Sequence, residues 1–130
     1  MLRITLRDGE KAVVNGAVLR SVGKTQIVIE NHVAILRGRE VMRPEDATTP
    51  ARQLYFAAML AYIDEEGRAG HQDAVVALLA DVLASVTAPG ARETCVRFAS
   101  EIAGGNHYRA LAAARELIAL EGAAAEPQAA

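Results

Sequence analysis

The sequence predicts an α+β fold: a small N-terminal antiparallel β-sheet of four to five short strands, followed by a bundle of about four α-helices. Three observations carry this expectation. Residues 2–7 alternate strictly, with Leu2, Ile4 and Leu6 on one side and Arg3, Thr5 and Arg7 on the other, which is the period of a half-buried strand. Asn15-Gly16 stands between Ala12-Val13-Val14 and Ala17-Val18-Leu19, and this dipeptide suits the positive φ angles of a tight hairpin turn. From residue 50 onward, apolar residues recur at helical spacing in runs separated by glycine and proline.

Taken in order, the first strand ends at the Asp8-Gly9 turn and leads into the hairpin. Gly23-Lys24 breaks the chain before Gln26–Glu30, a run rich in β-branched residues. Asn31-His32 marks a turn, and Val33–Leu36 predicts a further strand that runs into Arg37-Gly38-Arg39. A sheet this small has open edges and needs a helix or a second copy to cover it. A homodimer is therefore one expected state.

The hand-over comes at residues 44–63. Thr48 or Thr49 is a good N-cap, Pro50 suits the first helical position, and Glu45 and Asp46 lie where negative charge favours a helix start. The run that follows (Leu54, Tyr55, Phe56, Met59, Leu60, Tyr62, Ile63) is apolar almost all round, which predicts a buried central helix. Asp64–Gly70 reads as a solvated polar connection. Residues 71–87 carry the stripe Val75, Leu78, Leu79, Val82, Leu83 and Val86, and residues 91–103 place Cys95, Phe98, Ala99 and Ile102 along one side. Gly104-Gly105 stops the third helix, and residues 107–121 form the fourth. The expected organisation is a β-rich cationic subdomain at 1–43, a helical subdomain at 44–122 and a flexible tail at 123–130, within one compact domain.

The chain of 130 residues has a formal net charge of −2, but that balance hides a polarity. Residues 1–43 hold eight basic and four acidic side chains, a net of +4, while residues 44–130 hold six and twelve, a net of −6. A basic first part is suited to an anionic partner, nucleic acid included; it is equally suited to attracting the acidic helical part. The charged N-terminus lacks a signal-peptide core, and no apolar run is long enough to span a membrane. A cytoplasmic protein without membrane attachment is expected.

Chemistry-bearing motifs are sparse. The lone Cys95 excludes a cysteine-based metal site or disulfide framework, and His32, His71 and His107 lack partners at ligand spacing. Asp64-Glu65-Glu66 does not converge as an acid–base pair. Gly23-Lys24-Thr25 lacks the upstream glycine of a phosphate loop, and Ser21, Ser85 and Ser100 lack elbow glycines. No catalytic residue, metal or cofactor is expected. What remains is the cationic sheet surface, with Arg3, Thr5, Arg7, Arg37 and Arg39 as candidate RNA-binding residues and Arg20 and Lys24 nearby. Arginine's planar fork suits phosphate and guanine edges. Aromatic stacking residues are absent from this half.

NGAVLR (15–20), VAILRGREVM (33–42) and above all EDATTPARQLYFAAMLAYI (45–63) resemble the FlbT family of flagellar biosynthesis repressors. That resemblance covers nearly the whole chain apart from the alanine-rich tail. It implies a post-transcriptional regulator that associates with the 5′ untranslated region of flagellin mRNA and promotes its decay. It also brings flagellin and the companion regulator FlaF as possible partners. The opening MLRITLRDGE with VVNGAV is also similar to the start of the CsrA family, dimers that bind GGA-containing leader RNA with their first and last strands. That similarity implies Ile4, Thr5 and Arg7 on the first strand and Arg37 or Arg39 as a last-strand arginine, while Leu6 departs from an arginine expected there. The alternative function is a protein-interaction module in the helical half, with Tyr55, Tyr62, Leu79 and Leu83 as its contact residues and flagellin or FlaF as its ligand.

Overall fold

A computed structural model describes residues 2–125 of the chain. Five strands come first: β1 (Leu2–Leu6), β2 (Lys11–Val14), β3 (Ala17–Arg20), β4 (Thr25–Ile29) and β5 (Ile35–Arg37). Two short 3-10 turns, Gly38–Glu40 and Pro44–Asp46, lead into α1 (Pro50–Ile63), α2 (Arg68–Ser85), α3 (Ala91–Ala103) and α4 (His107–Ala125). The α+β class is as expected. The tail expected from residue 123 begins inside α4, and its remainder lies outside the described residues.

The strands divide into two antiparallel sheets. β1 pairs with β4 as a two-stranded ribbon, with Ile4 opposite Ile27. β2 stands between β3 and β5 in the other sheet. The Asn15-Gly16 turn has φ of 48° and 84°, as a two-residue hairpin requires. β5 starts two residues later than expected, because Ala34 is tied to the hairpin tip. Its N–H donates to Asn15 Oδ1 (3.0 Å) and its carbonyl accepts from Asn15 N (2.8 Å).

Side-chain parity then builds three layers. Val13 and Leu36 are opposite one another and face the helices, inside the main core. Ala12 and Ile35 point to the other face, where they meet Ile4, Leu6 and Ile27 of the ribbon in a second, smaller core. The middle sheet is therefore covered on both sides. β3 is exposed along its length and leaves one edge of that sheet open.

α1 is the buried centre of the helical layer, packed against α2 and α4, while α3 packs mainly on α4. Thr49 is the N-cap, its hydroxyl accepting from Arg52 N at 3.3 Å. Pro50 follows at the first helical position, and Glu121 of α4 accepts the Ala51 N–H at 3.0 Å. A carboxylate there meets both the unpaired amides and the positive helix end. At the far end, Arg68 caps α1 by donating to the carbonyls of Ala61 (2.7 Å) and Tyr62 (3.3 Å). The Asp64–Gly70 connection is an ordered corner that keeps Glu65 and Glu66 in solvent and passes into α2 at Arg68: Asp64 accepts from Gly67 N (3.1 Å) and pairs with His71 Nε2 (2.8 Å). The His71 hydrogen bond, first, holds the Asp64 carboxyl below its usual range. Cys95 is buried in the core, and burial pushes its thiol up. No described helix is long and apolar enough to cross a membrane.

Leu54 is fully buried at the middle of α1. Leu54→Ala is expected to lower stability in urea unfolding by about 2–5 kcal/mol, from lost transfer energy plus the cavity left behind. Val22→Ala, at a residue 86% exposed, is expected to change it by less than about 0.5 kcal/mol.

Candidate functional site

An open groove of about 760 Å³ lies where the ribbon, β5 and the helices meet, and it contains Arg3, His32, Arg37, Glu40, Tyr62 and Tyr108. Each reaches it by local structure. Arg3 is carried on β1, opposite Val28 of β4. Arg37 closes β5 on the ribbon-facing side of the middle sheet, opposite Ala12, and its guanidinium donates to the Thr5 carbonyl at 3.4 Å. His32 sits in the turn before β5. Tyr62 ends α1 and Tyr108 begins α4; because these helices run antiparallel, the two rings meet with centroids 5.9 Å apart and planes at 50°.

Glu40 ties the groove together. Its carboxylate accepts the Arg37 N–H (3.2 Å) and the Tyr108 hydroxyl, and lies 3.9 Å from Arg115 of α4. Its backbone carbonyl accepts the buried Tyr55 hydroxyl at 2.7 Å. Tyr62 accepts the Ile35 N–H at 3.2 Å. The hydrogen bond to Glu40, then burial, pushes the Tyr108 phenol up from 10.0 to about 12. Burial likewise raises Tyr55, opposed by Arg115.

The RNA candidates are thus separated by the fold. Arg3 and Arg37 line the groove, while Thr5 contributes only its backbone carbonyl, which accepts from the Arg37 guanidinium. Arg7 lies beyond the far end of β1, with its N–H on Glu10 Oε1 (3.0 Å), and Arg39 is exposed in the 3-10 turn; neither lines the groove. The protein-contact candidates separate too. Tyr55 is 2% exposed, so its proposed contact role is corrected: its ring is core, and its hydroxyl serves Glu40. Leu79 is half-buried against the main core. Leu83 stands 47% exposed on the outer side of α2, beside Val76 at 68%. α2 packs mainly on α1 and lightly on α3, so the cover over its stripe is narrow.

Sequence reading missed His32, Glu40 and Tyr108. The expected lack of aromatics in the cationic half holds for the sequence but not for the groove, since α1 and α4 deliver two tyrosines to it. The only sequence signal was position, one tyrosine closing a helix and another opening one. His107 is buried, with Nδ1 3.2 Å from Gly105 O and Nε2 3.2 Å from Gln72 Nε2, and burial lowers its pKa. Among the described residues no group of three or more His, Cys, Asp or Glu is placed to hold a metal.

Fold and groove together define a small three-layered α+β protein with an arginine–tyrosine seam between its cationic and acidic parts. The chain belongs to the FlbT family: the family model described as flagellar protein FlbT matches residues 2–124. The probable flagellum biosynthesis repressor protein FlbT of Caulobacter sp. strain K31 is 32% identical over 121 residues, covering 92% of each chain. The flagellum biosynthesis repressor protein FlbT of Caulobacter vibrioides is also 32% identical over 121 residues, 92% of this chain and 86% of that protein. A probable repressor of the same name from Agrobacterium fabrum is 49% identical over 67 residues, 52% of this chain and 45% of that one. No solved structure matches the chain.

A phenol held protonated above its unfolded pKa stabilises the fold fully below about pH 10, and that contribution is lost as pH rises through about 12. Glu40→Ala is expected to shift one phenolate absorbance transition back toward 10.0. It should also cost about 0.5–1.5 kcal/mol, because two solvent-accessible hydrogen bonds lose their acceptor. An unchanged phenolate titration would show that Glu40 does not set the Tyr108 proton.

Proposed function

We propose that this chain represses flagellar synthesis after transcription, by associating with the 5′ untranslated region of flagellin mRNA in the cytoplasm and promoting its degradation. The relatives' printed names support the repressor role. The observation that carries the RNA reading is the convergence of Arg3 and Arg37 on one groove, in the half of the chain with net charge +4. Guanidinium forks on one groove suit the phosphates of a flexible strand. The chain acts by binding; cleavage of the message falls to a cellular nuclease.

Fluorescence anisotropy of a labelled flagellin leader, against a shuffled RNA at low and moderate salt, tests this. Leader binding should weaken steeply with salt through counterion release. The Arg3→Ala/Arg37→Ala double variant should bind less tightly, with a salt slope shallower by roughly 1–1.5, about 0.7 per phosphate lost. A folded double variant with unchanged affinity and slope removes this surface from the reading.

The outer side of α2 favours a second reading. Val76 and Leu83, two turns apart, form an exposed apolar stripe with Asp73 one turn before Val76, the form of a groove wall for a partner helix with a basic flank. Flagellin or FlaF is the proposed occupant. Val76→Asp/Leu83→Asp should abolish capture of the purified partner while leader affinity stays at the wild-type value. Retained capture places the partner on another face.

A further inference from the structure

We infer that the groove seats an unstacked base of single-stranded RNA on the ring of Tyr108, while Arg3 and Arg37 hold the flanking phosphates. This rests on the RNA reading above and adds a base contact supplied by the helical half. Tyr108 is 46% exposed, although it opens a helix whose Leu111 and Leu117 are fully buried. A half-exposed aromatic ring sharing one groove with two arginines is the pairing that single-strand binders use, with rings for bases and cations for the backbone.

Both rings are held in advance. The Tyr62 hydroxyl accepts from Ile35 N of β5, which also carries Arg37, and the Tyr108 hydroxyl donates to Glu40 in the 3-10 turn that follows it. A platform fixed this way loses little rotamer freedom when a base arrives. Ile4, Ile29 and Ile35 give the groove apolar walls, which suit the flat face of a base and offer a bare phosphate nothing. Its volume of about 760 Å³ falls within the range of roughly 300–1,000 Å³ common to small-molecule sites.

The groove's carboxylates set the polarity of the strand. Glu40 is engaged by Tyr108 and the Arg37 N–H. Glu30, just beyond β4, has no hydrogen bond or ion pair among the described residues. Its charge repels phosphate and accepts the amino or imino hydrogens of a base edge. The backbone is therefore kept at the arginines and the base is turned inward.

The test uses the full chain with a short single-stranded RNA containing 2-aminopurine and an abasic RNA of the same length. The protein has no tryptophan and three tyrosines, so tyrosine emission reports directly. Binding should quench both 2-aminopurine and tyrosine fluorescence, and wild-type protein should prefer the base-bearing RNA by roughly five- to a hundredfold. Tyr108→Leu should erase that preference and leave abasic affinity and salt slope unchanged, while Tyr108→Phe, which keeps the ring, retains most of it. Should Tyr108→Leu not fold, the wild-type preference and quenching decide alone. Equal wild-type affinity for the two RNAs, or a folded Tyr108→Leu that keeps the preference, overturns the stacking inference and leaves the phosphate reading standing. Failure of both RNAs to bind overturns the RNA reading itself.

Discussion

Glu40 is the residue through which the strands and helices hold one another. Its peptide carbonyl satisfies the hydroxyl of Tyr55, a side chain sealed in the core of α1. Its carboxylate gathers the Arg37 N–H from β5 and the Tyr108 hydroxyl from α4, with Arg115 close by. A buried tyrosine hydroxyl without a partner costs more than its hydrogen bond gains, so core packing of α1 depends on this turn being where it is. The same turn aims Arg37 across to Thr5. One short segment thus sets both the core and the groove.

From that junction the layers follow. A two-stranded ribbon is marginal by itself, and the second core under it is small, with Ile4, Leu6 and Ala12 buried and Ile27 and Ile35 beside them. The middle sheet lends the ribbon its inner face, and the Arg37–Thr5 bond spans the two. The helical layer lends the middle sheet Val13 and Leu36 their cover. The opposite charges of the two parts, +4 and −6, add long-range attraction between them. Cationic residues remain at the seam, where the β half and the helical half both present side chains to solvent.

That arrangement gives the groove a composition neither half has alone. The β half brings arginines and a turn histidine; the helical half brings tyrosines held by hydrogen bonds at the C-terminal end of α1 and the N-terminal end of α4. The outer side of α2 is remote in character, apolar and acid-flanked, so the chain carries two chemically distinct surfaces. Family membership places the chain in flagellar biology.

Local physics was legible directly in the sequence. Thr49 and Pro50 started α1, the Asn15-Gly16 pair turned the hairpin, and the alternation of residues 2–6 produced β1. Each depends on near neighbours, whose sterics and capping bonds are the same in any fold. Pairing across long sequence separations was not legible. Nothing local says that β1 joins β4 and not the β2–β3 hairpin, that Tyr55 turns inward to reach Glu40, or that Tyr108 meets Tyr62 across 45 intervening positions. Arg37 and Arg39 look equivalent as residues, yet strand parity sends one to the groove and the 3-10 turn leaves the other in solvent. The sequence by itself determined the elements, their caps and the charge of each half. Tertiary structure alone decided which side chains share a site, because that is set by layer packing and helix antiparallelism, whose energies exist only once distant segments have met.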